Sequence, residues 1–111
     1  MSASMDTSSY ADVTTDDRAA TVVLTGALDI ASEPAFTQRI EALRREGHTA
    51  LRVDLSRLRF IDSRGLSALL RTWRDWTGDG STVAFVAPTE PHVRRVLEIS
   101  GVDDELPFAG V

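Results

Sequence analysis

Ser63 stands between Asp62 and Arg64-Gly65 at a point where an apolar-rich strand pattern passes directly into helical spacing. Leu66, Leu69, Leu70 and Trp73 then recur at i, i+3, i+4 and i+7, the period of an amphipathic helix. The chemistry this arrangement permits is phosphate acceptance. A hydroxyl at a helix start lies near free backbone N–H groups and the positive end of the helix dipole, so a phosphate added there need not melt the helix. A plainer role is equally compatible with the spacing. Asp and Ser are both common N-caps, and either Asp62 or Ser63 would satisfy the helix start by that means alone. On local spacing the capping role is the commoner one, and the two readings stay open at this point.

Other chemistries lack their residues. The chain has no cysteine, which excludes disulfides and thiolate metal sites. His48 and His92 are far apart in sequence, without neighbouring acidic residues or histidines at ligand spacing, so neither a metal nor a cofactor is expected. There is no phosphate-binding Gly-rich loop and no Gly-x-Ser-x-Gly elbow. Asp62 and Ser63 lack the third group that a hydrolytic triad needs. The sequence is therefore read as that of a binding protein and not an enzyme. A net charge of −5 argues against a nucleic-acid partner, which requires clustered cations. All 12 basic residues are arginine, from which no function follows.

The elements that must position Ser63 can be read along the chain. Its 111 residues suffice for one modest core. Residues 1–9 are small and polar without periodicity, which predicts a flexible leader before a single domain over 10–111. Tyr10 to Thr15 and Thr21 to Thr25 flank the polar cluster Asp16-Asp17-Arg18 and predict a hairpin. Ser32 followed by Glu33-Pro34 predicts a helix start, with Phe36, Ile40 and Leu43 inward and Gly47 as the stop. The charged residues between them, including Arg39, Glu41, Arg44, Arg45 and Glu46, are read as a solvated face. Strands are predicted over Thr49 to Leu55 and Thr82 to Ala87, and helices near 34–46, 63–76 and 89–100. Trp73 is assigned to the core. Trp76, about 60° round the helix from it, is expected to be partly exposed.

Alternating strands and helices call for parallel strands joined by right-handed crossovers. The expected fold class is α/β: a single-domain mixed β-sheet led by an N-terminal antiparallel hairpin, with helices packed on one face. Glu105 to Phe108 are expected to add a short edge strand, with no further helix after it. Asp29 follows the second strand and Ser63 the third by a loop, so both are expected on one rim beyond the strands' carboxyl ends.

The run Asp54-Leu55-Ser56-Arg57-Leu58-Arg59-Phe60-Ile61-Asp62-Ser63-Arg64-Gly65-Leu66 resembles the signature of the STAS family, of which Asp-Leu-Ser-x-Leu-x-Phe-Ile-Asp-Ser-Ser-Gly-Leu is a typical form. Leu24-Thr25-Gly26-Ala27-Leu28-Asp29 is similar to the family's Leu-x-Gly-Glu-Leu-Asp element, and Ile99-Ser100-Gly101-Val102 to the end of its third helix. The three landmarks fall in the family's order and cover roughly residues 10 to 108. The resemblance is to the anti-sigma factor antagonist type. It implies phosphorylation at Ser63 and partner binding through Asp29, Asp62, Ser63, Arg64, Gly65 and Ser67.

The implied partners are an anti-sigma factor with serine kinase activity and a phosphoserine phosphatase, in a bacterial cytoplasm, with sigma-dependent transcription as the output. A second role the resemblance allows is a constitutive subunit docking on the ATPase of a lipid-trafficking ABC transporter. Two positions depart from the pattern: Arg64 replaces a second serine, and Ala27 replaces the common glutamate. No apolar run approaches the roughly 18 residues that span a membrane.

Overall fold

The computed structural model describes residues 5–7 and 11–109. Strands β1 (Met5–Thr7), β2 (Ala11–Asp16), β3 (Ala19–Leu28), β4 (Ala50–Ile61), β5 (Thr82–Val86) and β6 (Phe108–Ala109) form one sheet in sequential order. Helices α1 (Glu33–Arg45), α2 (Ser63–Gly78) and α3 (Pro91–Ser100) connect the parallel strands, and a single turn, α4 (Val102–Glu105), precedes β6. The sheet is mixed as expected, antiparallel from β1 to β3 and parallel from β3 to β6.

Topology explains why one face is covered. From β3 to β6 each strand is added on the same side of its predecessor. Right-handed crossovers then place every connecting helix on one face, and the strand order never reverses. The crevice that a reversal opens for ligands in doubly wound sheets is accordingly absent from the described strands. Burial follows the pleat: Ala20, Val22 and Leu24 of β3 and Leu51, Val53 and Leu55 of β4 are buried, while Thr21, Val23, Arg52 and Asp54 between them are not. Phe36, Ile40, Leu43, Leu69, Trp76, Val93 and Leu97 close the core from the helices.

Several expectations need correction. Met5–Thr7, within the expected leader, pair with Thr14 to Asp12 of β2, and the other leader residues and Tyr10 lie outside the described residues. The strand expected to end at Leu55 runs on to Ile61, because two register shifts against β3 let it continue past Ser56 without regular alternation. Only Asp62 therefore separates β4 from α2, in place of the expected loop. The tail holds the extra helical turn α4, and its strand lies further along, at Phe108–Ala109.

The two tryptophans exchange roles. Trp76 is fully buried at 0% exposure, whereas Trp73 is only partly buried, packed against the core with Leu66 and Leu70. Gly65, Leu69, Thr72 and Trp76 are the turn-by-turn buried line of α2. Gly65 sets that rotation. A Cβ on it would stand 2.3 Å from the Leu28 carbonyl oxygen and 2.8 Å from Ile61 Cγ1, so the first turn can lie against β3 only where there is no side chain.

Candidate functional site

The rim forms because β3 and β4 end together. Leu28 pairs with Ile61, so Asp29 and Asp62 leave adjacent parallel strands side by side. The Asp62 N–H donates to the Leu28 carbonyl at 3.3 Å, tying the two exits.

Asp62 is the N-cap of α2. Its backbone is extended, and its Oδ1 accepts from Gly65 N–H at 2.9 Å, the third N–H of the helix. Its Oδ2 accepts from Ile30 N–H at 3.0 Å, so one carboxylate fastens both loops. Asp29 acts likewise within its own loop: Oδ1 accepts from the N–H groups of Ala31 and Ser32, each at 3.1 Å. Ser32, expected to cap α1, makes no capping bond through its side chain. Its hydroxyl instead donates to the Ala27 carbonyl at 2.8 Å and accepts from Asp29 N–H at 3.0 Å.

The choice left open between two capping residues is thereby resolved. Asp62 caps, and Ser63 does not. Ser63 is exposed, and its hydroxyl has no hydrogen-bond partner among the described residues. Ser67 is also exposed, one turn further along α2, whereas Gly65 is buried against β3. Of the residues singled out from sequence, Asp29, Asp62, Ser63, Arg64 and Gly65 meet at this rim. The carboxylates of Asp29 and Asp62 are occupied in holding it together.

Arg64 turns across to α1. Its Nη1 lies 3.6 Å from Glu33 Oε1, and Arg71 Nη2 lies 3.3 Å from Glu33 Oε2. Thr37 Oγ1 donates to the same Oε2 at 2.6 Å. Glu33 is 6% exposed, a buried carboxylate joining α1 to α2 directly behind the start of α2. Sequence reasoning missed this role and treated Glu33 only as a residue of the first helical turn. The signal lay in the pairing of Glu33 with Thr37 at i, i+4.

Ile30 was missed as well; it follows Asp29 and is 65% exposed. A cavity of about 420 Å³ opens beyond β5 among Val86, Pro88, Arg94, Leu97, Glu98 and Phe108 and includes none of the rim residues. Among the described residues no group of three acidic, histidine or cysteine side chains could hold a metal ion. No described helix is long and apolar enough to cross a membrane.

The model of the family described as "Mlab, STAS domain" matches residues 11–108. The chain belongs to the STAS family. An anti-sigma factor antagonist from Mycobacterium paratuberculosis matches with 28% identity and a TM-score of 0.79, over 97% of this chain and 87% of its own. The phosphorylated form of the Bacillus cell fate determinant SpoIIAA superposes with a TM-score of 0.67 at 19% identity, over 97% of this chain and 91% of its own. SiaC of Pseudomonas aeruginosa superposes with a TM-score of 0.64 at 18% identity, over 100% of this chain and 98% of its own. The last two likenesses are of fold. No match was found among curated proteins.

Proposed function

We propose that this STAS domain is an anti-sigma factor antagonist that docks through the Asp29/Ser63 rim on an anti-sigma factor with serine kinase activity. Docking frees the sigma factor, phosphorylation of Ser63 ends it, and a phosphoserine phosphatase restores it. The setting is the bacterial cytoplasm and the chain is not itself a catalyst. The observation that carries this reading is the division of labour at the seam: Asp62 makes the capping bond to Gly65 N–H, so the adjacent Ser63 hydroxyl is exposed and uncommitted. A serine needed only for structure would be spent on the cap. Similarity to the mycobacterial antagonist along nearly the whole chain supports the same role.

Asp29, Asp62 and Gly65 hold the rim in shape, while Ser63, Arg64 and Ser67 are the exposed positions that a partner meets. A constitutive subunit docking on the ATPase of a lipid-trafficking ABC transporter would use the same fold but has no use for a phosphorylatable hydroxyl. The discriminating experiment incubates the chain with the anti-sigma factor kinase and ATP and maps phosphate by mass spectrometry. Stoichiometric modification at Ser63, abolished in Ser63→Ala, is the expected result; a chain left unmodified by a kinase that binds it would count against the switch.

A further inference from the structure

Between Asp29 and Ala35 the usual distribution of side chains is inverted. The Asp29 carboxylate is spent on its own loop and Glu33 is 6% exposed, whereas Ile30, Ala31, Pro34 and Ala35 all face solvent. The inward carboxylates stabilise the loop and the contact of α1 with α2, but the outward turn of the aliphatic groups gains nothing for a monomer in water. Exposure alone is not the signal, since Ile99 on α3 is 76% exposed between the exposed polar residues Glu98 and Ser100. Ile30 differs in its neighbours, since Ala31, Pro34 and Ala35 close to it in sequence are also exposed and aliphatic. Its N–H is fixed by Asp62 Oδ2 at 3.0 Å, and the residues on either side belong to the Asp29 turn. An apolar side chain on a fixed backbone loses little further freedom when it is bound. The same Asp62 immediately precedes Ser63, so the loop that carries Ile30 is tied to the residue beside the exposed serine.

We propose that Ile30, Ala31, Pro34 and Ala35 form an apolar docking face continuous with Ser63. Its occupant is the anti-sigma factor kinase, through an apolar pocket that takes Ile30 beside the site receiving Ser63. This rests on the function proposed above and names the residue that anchors it. The size of the face favours a reversible partner over a second copy. One large and three small side chains fall well short of the roughly 800 Å² per partner of a stable interface, but match a central anchor within a larger, more polar contact. Phosphate at Ser63 would place a hydrated dianion at the margin of that dry contact, linking the anchor to the switch.

The test is calorimetric titration of the anti-sigma factor kinase encoded in the same genome with wild type, Ile30→Ser and Ile99→Ser, alongside thermal melts and sedimentation. Ile30→Ser is expected to weaken binding tenfold or more with an unchanged melt, and Ile99→Ser to bind as wild type does. Undiminished binding by Ile30→Ser overturns the docking face and leaves the proposed function standing. Failure of the wild type to bind overturns the proposed function and this occupant together. A wild-type dimer that Ile30→Ser dissociates assigns the face to a second copy and likewise overturns the proposal.

Discussion

At the scale of single residues, the rim depends on groups that are buried or spent on hydrogen bonds within it. Gly65 is the most constrained of them. A methyl group there would meet the Leu28 carbonyl, which is backbone in the sheet and cannot swing aside. Gly65→Ala should therefore cost about 2–3 kcal/mol, at the upper end of ordinary overpacking, and chemical denaturation measures it. Asp62→Ala removes the cap and the acceptor for Ile30 N–H together, and a loss of about 1–2 kcal/mol is expected. Asp62→Asn keeps an acceptor oxygen for the cap and should recover most of that loss; if the two variants melt alike, the side-chain cap is not what holds the seam. Arg64 contrasts with both. Its side chain is 54% exposed and 3.6 Å from Glu33, so Arg64→Ser should change stability by well under 1 kcal/mol, whatever it does to partner choice.

At the scale of elements, α1 and α2 are joined by an apolar interior and a polar seam at its edge. Glu33 meets Arg71 and Arg64 near one end of that seam, and Arg44 meets Asp79 and the Asp75 carbonyl near the other. Because Arg71 is about half exposed, solvent screens the pair. A double-mutant cycle of Glu33→Gln and Arg71→Gln should give a coupling of only about 0.5–1 kcal/mol, and a value of several kcal/mol would mean that the seam is far drier than its exposure suggests.

The interior is worth more. Trp76→Ala should cost about 3–5 kcal/mol, while Trp76→Phe should cost much less, because the indole N–H is buried without a hydrogen-bond partner among the described residues. The sequence patterns told α1 and the strands apart well, since Phe36, Ile40 and Leu43 keep a strict helical period and Thr21 to Leu24 a β-branched one. They misjudged the rotation of α2, where apolar residues occupy more than half the circumference and a contact distant in sequence, Gly65 on Leu28, decides which of them turn inward. They also stopped β4 short, because bulges destroy the period of two on which strand reading depends.

For the molecule as a whole, the sheet order accounts for the placing of the site. A strand order that never reverses opens no switch-point crevice among the described strands, and at the ends of β3 and β4 it leaves an exposed rim. The meeting of Asp29 and Ser63 on it was legible from the strand-to-loop order. The inward turn of the carboxylates and the outward turn of Ile30 were not, because they follow from side-chain bonds within the Asp29 loop, from Asp62 to Ile30 N–H and from Glu33 to α2. Phosphorylation of Ser63 would take the formal charge from −5 to about −7 without disturbing a buried group, since the hydroxyl has no partner among the described residues to lose. The fold should survive and the docking should not. The most direct measurement is the affinity of the anti-sigma factor kinase for the unmodified and the Ser63-phosphorylated chain, with a thermal melt of each. A loss of at least tenfold in affinity, at a melting temperature within a few degrees of the unmodified protein, is predicted. Equal affinities, or a phosphorylated chain that no longer folds, would contradict it.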